Sequence, residues 1–584
     1  VTTPLQAVDD DFELVTHLKG LYHRARQARR DYHDNWQRNY RLVHNRQATQ
    51  SSASWVPKPR DSEIYPALAT NVAWMADQNT QIDYGPAANP NSEYFTLIQS
   101  LTQDLSTVVR TNWHLYNYTA QVKLSLWDSF IYGAGFFKTI WDQSLDDGKG
   151  NALFKRIDPW ALYIDPNATS LDDAEYIIEA RQMTFDEVER RWPKGAEYIE
   201  ANNLGGDSDI DDRPNRRNSA TSPSLHNLGN MSSTQTGTSR WGTPKSNNIT
   251  LFPRNNVVVY EFWVKENDDW EDSDAENDAS ETHVEAKWRV VIVAANTILM
   301  DEYADDLWPG GGHPYDRLVY DDIGELYGIA LVDHLASPQI YINRLLTAMQ
   351  QNAELCGNPI FVEPKNSGTE RTAIINRPGN RLSVNPTATP PQWLEPPSIS
   401  SDVMPLIQFY INRIENIAGM TAPVKGSMIT GADRTPEGVI DSIKEAAFVR
   451  IRSGLQNLEA TLCSVGGKLA NLIIDNFTDP RYVSIVGQSG INSSKYFQAN
   501  HFKLGKSNLE FAVRVDAGAA ASTSRMSRMA QADMGLAMGA IDDQAWLEAH
   551  NFPNWQEVNE RVSKQKAMGT FQAPGARQRA GRTT

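Results

Sequence analysis

The residues from Pro436 to about Phe477 constrain this chain more than any other stretch. Apolar side chains fall at Ile440, Ile443, Ala447, Ile451, Leu455, Leu458, Leu462, Val465, Leu469 and Leu472. Every step is three or four, so they share one face of a long helix. Thr435 suits the N-cap, Pro436 the first helical position and Glu437 the positive end of the helix dipole. Such a rod is roughly 60 Å long. Gly454 and the pair Gly466-Gly467 each cost about 1 kcal/mol against Ala, so a bend is expected there. A rod about twice as long as a small domain is wide must cross a large domain or pack against other subunits.

Helices and strands alternate in blocks elsewhere, an α+β pattern. Asp9 to about Gln50 reads as a helix with Phe12, Val15, Leu18, Leu21 and Tyr22 on one side. Its second half carries Arg24, Arg26, Arg29, Arg30, Arg38 and Arg41 among Tyr32, Trp36 and Tyr40. That run is either a contact for nucleic acid or an acidic neighbour, or a solvated helix face. Helix is expected at Tyr65–Asn79 and again from Tyr94 to about Ile131, a region ended by Gly133-Ala134-Gly135. Strands follow at Phe136–Trp141, Ala152–Ile157, Ala174–Gln182, Val257–Val264 and Trp288–Val293. Thr184 with Glu187 forms a capping-box signal for a short helix.

Farther along, Ser337-Pro338 can start a helix segment whose apolar side is Ile342, Leu345, Leu346, Met349 and Ala353. Residues 357–400 lose helical periodicity, with strands at Ile360–Val362 and Arg381–Val384 and proline-rich extended chain between them and beyond. A helix from Asp402 to Ala418 carries a narrow apolar stripe that includes Leu406, Tyr410 and Ile414, with Gly419 as its stop. Residues 420–434 form a loop before the rod. Leu509–Asp516 reads as a strand, and short helices are expected at Ser524–Met538, Asp542–Ala549 and Trp555–Ala567 before a basic tail.

Composition removes several function classes. The net charge is -17, which argues against a protein that coats nucleic acid, although an acidic wall can enclose DNA without gripping it. Cys356 and Cys463 give no disulfide framework. No apolar run is long enough for a membrane span, and the opening VTTPLQAVDDDF has no signal-peptide pattern, so no membrane partner is expected. Residues 205–248 are Ser/Thr/Asn/Gly-rich, and Glu266 to Glu285 carries ten carboxylates without Lys or Arg.

No active-site motif emerges. Gly505-Lys506-Ser507 has the ending of a phosphate loop, but Asn500 stands where its first Gly belongs. Gly487-Gln488-Ser489-Gly490 misses the nucleophile elbow by one residue. His313, His334 and His501 lack a partner pattern, and Asp158, Asp165, Asp172 and Asp173 read as turn residues rather than metal ligands. No enzyme, metal or cofactor is expected.

The order helix, proline-rich β insertion, helix, loop and long helix resembles the portal protein of tailed bacteriophages, the head-to-tail connector. The carrying text is SPQIYINRLLTAMQQNAELCGNPIFVEP, NRPGNRLSVN, FYINRIENIAGMTAPVKG and TPEGVIDSIKEAAFVRI, with IDPWALYIDP, TFDEVERRWP and VRVDAGAAASTSRMSRMAQADM flanking them. The resemblance implies a mixed α/β wing (1–325), a first stem helix region (326–357), a small β clip (358–401) and a second stem helix (402–419). It further implies a tunnel loop (420–434), the long bent helix (435–477), a return to the wing (478–520) and crown helices (521–584). Each chain would be one subunit of a closed ring, usually a dodecamer, around non-sequence-specific double-stranded DNA.

Stem packing would fall to Leu345, Met349, Leu406, Tyr410 and Ile414, and clip contacts to Phe361, Arg381 and Trp393. Lys425, Met428, Ile429, Thr430 and Arg434 would line the DNA channel. The implied partners are the terminase large subunit, a head-completion or adaptor protein, and the major capsid and scaffolding proteins. The implied place is the portal vertex of the virion, after assembly in the host cytoplasm. Two competing readings are another virion structural protein, such as a tail or adaptor component, and a DNA-packaging enzyme.

Overall fold

The computed structural model describes residues 11–46, 57, 59–77, 81–87, 95–199, 256–267, 286–294, 296–304, 312–357, 360–366, 385–387, 392–394, 402–420, 437–477, 481–486, 492–497, 511–516, 532–536, 538 and 546. The expected loops at 205–248 and 420–434, and most of the acidic run, lie outside these residues, as do Arg381–Val384 and most of the expected C-terminal helices.

Helix α1 (Asp11–Val43) leads to α2 (Ile64–Asp77), strand β1 (Gln81–Pro86), α3 (Phe95–Leu115) and α4 (Tyr118–Tyr132). The helical region expected from Tyr94 to about Ile131 consists of two helices. Asn117 adopts a left-handed conformation (φ 51°) between them, which Asn tolerates better than most side chains. Gly133 (φ 90°) ends α4, and a side chain there would strike the carbonyl of Gly328.

Strands β2 (Ala134–Asp142) and β3 (Asn151–Ile157) form a hairpin, followed by β4 (Leu162–Ile164), β5 (Tyr176–Thr184) and the short helices α5 (Phe185–Arg191) and α6 (Pro193–Ala196). Thr184 has the extended backbone of an N-cap, but its hydroxyl makes no cap hydrogen bond, so the expected capping box is not closed. Strands β6 (Asn256–Asn267), β7 (Ala286–Ala294), β8 (Thr297–Tyr303) and β9 (Tyr315–Val319) precede α7 (Leu331–Gly357). Then come β10 (Ile360–Val362), β11 (Gln392–Leu394), α8 (Val403–Ile417), α9 (Glu437–Asn476), β12 (Arg481–Val486), β13 (Asn492–Phe497) and β14 (Phe511–Asp516).

Two sheets carry the body of the fold. One is five-stranded and antiparallel in the order β4-β5-β6-β7-β8; the other is three-stranded, β3-β2-β9. The five-stranded sheet is buried on both faces. Ile177, Val257, Val259 and Trp263 enter the main core, while Ile178, Tyr260, Phe262, Val291 and Val293 meet Leu14, Leu18, Leu21 and Tyr22 of α1. Burial on both faces explains why Val257–Val264 reads as an almost unbroken apolar run rather than an alternating one.

The stripe of α9 is buried from Ile451 through Leu455, Leu458, Leu462, Val465 and Leu469 to Leu472. The helix runs unbroken through its glycines. Two of them serve close approach: a Cβ on Gly454 would enter the ring of Tyr320, and one on Gly466 would lie 2.9 Å from Ile82 and Val513.

The basic stretch of α1 is solvated on one side and turned inward on the other: Arg24, Arg30, Arg38 and Arg41 are exposed, whereas Arg29 is buried. Trp36 and Tyr40 are core residues. Arg29 is buried over the Tyr163 ring (3.8 Å) and donates to the carbonyls of Trp160 and Leu162 at 3.0 and 2.8 Å. Arg38 pairs with Asp333 of α7 at 2.6 Å.

Candidate functional site

Helix α7 begins buried and ends exposed. Leu331, Val332, Leu335, Ala336, Pro338, Gln339 and Ile342 are buried, whereas Glu354 to Gly357 are exposed. Pro338 lies inside this continuous helix rather than starting one; the expected break at Ser337-Pro338 does not occur. Gln339 anchors the buried end, donating to the Asp61 carbonyl (2.8 Å) and accepting from the Glu63 N–H (3.0 Å). Asn39 of α1 adds a bond to Asp333 at 3.0 Å. Helix α8 runs the other way: its start is exposed, and its end is fixed by Asn71, which donates to the Ala418 carbonyl at 2.9 Å. Gly419 (φ 73°) stops it.

The two helices meet through stacked rings, Tyr341 on Tyr410, with centroids 5.4 Å apart and planes at 17°. Ile407 and Ile414 are buried on the inner face of α8. Leu345, Met349 and Tyr410 are half-buried. Leu406 is 42 % exposed, and Met404, Phe409 and Tyr341 are 59, 59 and 44 % exposed, so the pair keeps an apolar outer surface. At the far end β10 and β11 form an antiparallel ribbon that sets Phe361 opposite Trp393. The partner of β10 is thus Gln392–Leu394, within the stretch expected only to be extended. Arg381 and the loop residues Lys425, Met428, Ile429, Thr430 and Arg434 lie outside the described residues.

A polar seam joins α9 to β9, and apolar periodicity gives no hint of it. Thr461 donates to the Arg317 carbonyl (3.0 Å), Ser464 to Asp316 (2.6 Å), and Lys468 to the Tyr315 carbonyl (2.6 Å) and Asp316 (3.0 Å). Asn457 reaches the Tyr320 carbonyl at 3.3 Å. These residues recur at helical spacing beside the apolar stripe.

Between the two sheets lies a buried ionic cluster. Lys138 of β2 donates to Glu179 (2.8 Å) and Glu261 (2.6 Å), and Arg181 pairs with both carboxylates at 3.0 and 2.7 Å. Trp263 and Tyr315 donate to Glu261 and Glu179. Burial alone would raise the Glu261 pKa, but Lys138 and then Arg181 outweigh it and hold the carboxyl at about 2. Elsewhere burial raises Asp128 to about 7 against the opposing pull of Arg156. Burial also lowers the pKa of His313. The Lys138–Glu179–Glu261–Arg181 cluster and the Asp128–Arg156 pair are structural ion pairs, not a nucleophile beside a base.

The aspartates of the Asp-Pro region serve turns. Asp158 accepts from the Trp160 N–H and Asp165 from the Asn167 N–H, each at 3.1 Å. Among the described residues, no group of three or more His, Cys, Asp or Glu is placed to hold a metal ion. None of the described helices is long and apolar enough to cross a membrane.

A search of the curated proteins finds no match. The family model described as phage P22-like portal protein matches residues 19–582, spanning both sheets, the α7–α8 pair, the β10–β11 ribbon and α9. With the mixed helix-and-sheet fold on the same residues, that match places the chain in the phage P22-like portal protein family.

Proposed function

We propose that this portal protein is one subunit of a closed ring at a capsid vertex, through which double-stranded DNA is packaged and later released. The family match over residues 19–582 carries the reading. The α7–α8 pair supports it: an apolar outer surface of Tyr341, Met404, Leu406 and Phe409 needs covering, and a neighbouring copy can cover it. A contact between different faces of identical chains closes into a ring when its rotation divides a full turn.

In this reading α7 and α8 are the stem, with Leu345, Met349, Leu406, Tyr410 and Ile414 packing it. The β10–β11 ribbon and its surroundings are the clip, where Phe361, Arg381 and Trp393 meet the terminase and then an adaptor protein. Residues 420–434 face the DNA, and Lys425 and Arg434 touch its phosphates without reading bases. The two sheets form the wing, which meets capsid and scaffolding proteins. The role is structural: terminase supplies the hydrolysis and this chain the conduit.

Electron microscopy of the purified full chain tests the proposal. Rings with a central hole wide enough for a duplex are expected. A solution mass of one subunit under assembly conditions, with no rings on the grid, would overturn it.

A further inference from the structure

Beside the polar seam lies a cavity of about 270 Å³, walled by β9, by one side of α9 and by the turn at Ser170–Asp172. Two of its lining side chains, His313 and Asp316, are each only 5 % exposed. Asp316 uses Oδ1 for Ser464 and Lys468, while its Oδ2 is buried and takes no hydrogen bond among the described residues. His313 accepts the Tyr315 N–H at Nδ1 (3.3 Å), so its neutral ring carries the proton on Nε2. That nitrogen lies 3.5 Å from Oδ1 of Asp172, whose side chain is 96 % exposed at the mouth of the cavity.

The charges of the wall do not cancel. Arg317 pairs with Asp322 at 2.8 Å and Lys468 with Asp316 at 3.0 Å. Lys265 donates to the backbone carbonyl of Asp172, not to its carboxylate. Among the described residues, Asp172 therefore has His313 beside it but no Lys or Arg in ion-pair contact.

We infer that this cavity binds an alkylammonium group, seated between Asp316 Oδ2 and the Asp172 carboxylate. The inference goes beyond the ring reading and does not depend on it. A buried carboxylate oxygen without a donor costs free energy, and a charged N–H removes that cost with a charge-assisted bond. An ammonium brings three N–H donors, enough for Asp316, Asp172 and one water. The His313 Nε2–H faces Asp172 and steadies that carboxylate instead of competing for the cation. An anion would meet two carboxylates. A metal ion lacks a ligand set, since among the described residues no three His, Cys, Asp or Glu side chains are grouped to hold one.

Calorimetric titration of the full chain with putrescine tests the site. Saturable binding is expected. Asp172→Asn should keep the melting temperature of the amine-free chain, because that side chain is exposed, and should weaken putrescine binding about tenfold or more. Tetramethylammonium, which has the charge but no N–H, should bind at least about tenfold more weakly than putrescine. Absence of saturable binding, equal binding of tetramethylammonium, or unchanged affinity in Asp172→Asn would overturn the inference. Sedimentation with saturating putrescine then reads the source of the group. Unchanged sedimentation assigns the site to a free amine, and dispersal of an assembly assigns it to a lysine side chain of another copy.

Discussion

Lys138 Nζ lies 2.6 Å from Glu261 Oε1, and this contact fastens β2 of the three-stranded sheet to β6 of the five-stranded sheet. Lys138 also bonds Glu179 on β5, so one ammonium ties two neighbouring strands to the opposite layer. Replacing Lys138 with Met leaves two buried carboxylates to share Arg181. The cost expected is about 3–5 kcal/mol, because an uncompensated buried charge is worse than no charge. A lowered denaturation midpoint for the full chain checks this.

Acid should act on the same cluster. The Glu261 carboxyl is held at about 2, below its ordinary value of 4.5. A depressed carboxylate stabilises the fold fully above its unfolded value, and the contribution fades as pH falls through the folded value. Stability should therefore decline from about pH 4.5 toward 2. Glu261→Gln should be less stable than the parent at neutral pH and show a shallower acid slope, read from denaturation midpoints across that range.

Two glycines of α9 should respond with opposite signs. Gly454→Ala drives a methyl into the Tyr320 ring and should cost about 1–3 kcal/mol. Gly467 has nothing within 4 Å of an added Cβ, so Gly467→Ala should gain up to about 1 kcal/mol from helix propensity. Thermal melting of the two variants side by side makes the comparison.

Phe409→Asp places a charge on the exposed side of α8. Because Phe409 is 59 % exposed, the isolated subunit should keep its melting transition. Ring formation should fall sharply, as measured by sedimentation or particle counting. An unchanged ring yield would take this residue out of the subunit contact.

Lys425→Ala combined with Arg434→Ala should lower genome retention or packaging yield while rings still form. Each lost phosphate contact also removes about one unit from the salt dependence of DNA binding. Retention equal to the parent would remove both cations from the mechanism.

The elements most legible in the sequence are those whose burial is one-sided and helical. The α9 stripe and α8, with its glycine stop, were readable because one face repeats every three or four residues. Strands β8 and β9 were not. Thr297–Tyr303 is an edge strand with half-buried and exposed residues, and Tyr315–Val319 is only five residues long. The seam of Asn457, Thr461, Ser464 and Lys468 escaped for a different reason: polar residues at helical spacing look like a solvated face until a strand is known to lie against them. Arg29 of α1 escaped likewise. A guanidinium that caps carbonyls inside a protein has the same letter as one that grips phosphate. For the candidate site, the helix pair was legible from apolar spacing, while the stacking of Tyr341 on Tyr410 and the Asn71 and Gln339 anchors needed the fold.

Arg29 has a mechanical corollary. Its guanidinium donates to backbone oxygens of Trp160 and Leu162, and among the described residues no carboxylate pairs with it. Peeling α1 off the sheet would carry that cation away and leave the buried carbonyls without their donor. Helix α1 is therefore no detachable arm. In any rearrangement of the chain it should travel with the five-stranded layer as one lever, so flexing is to be sought at the chain segments that leave that layer.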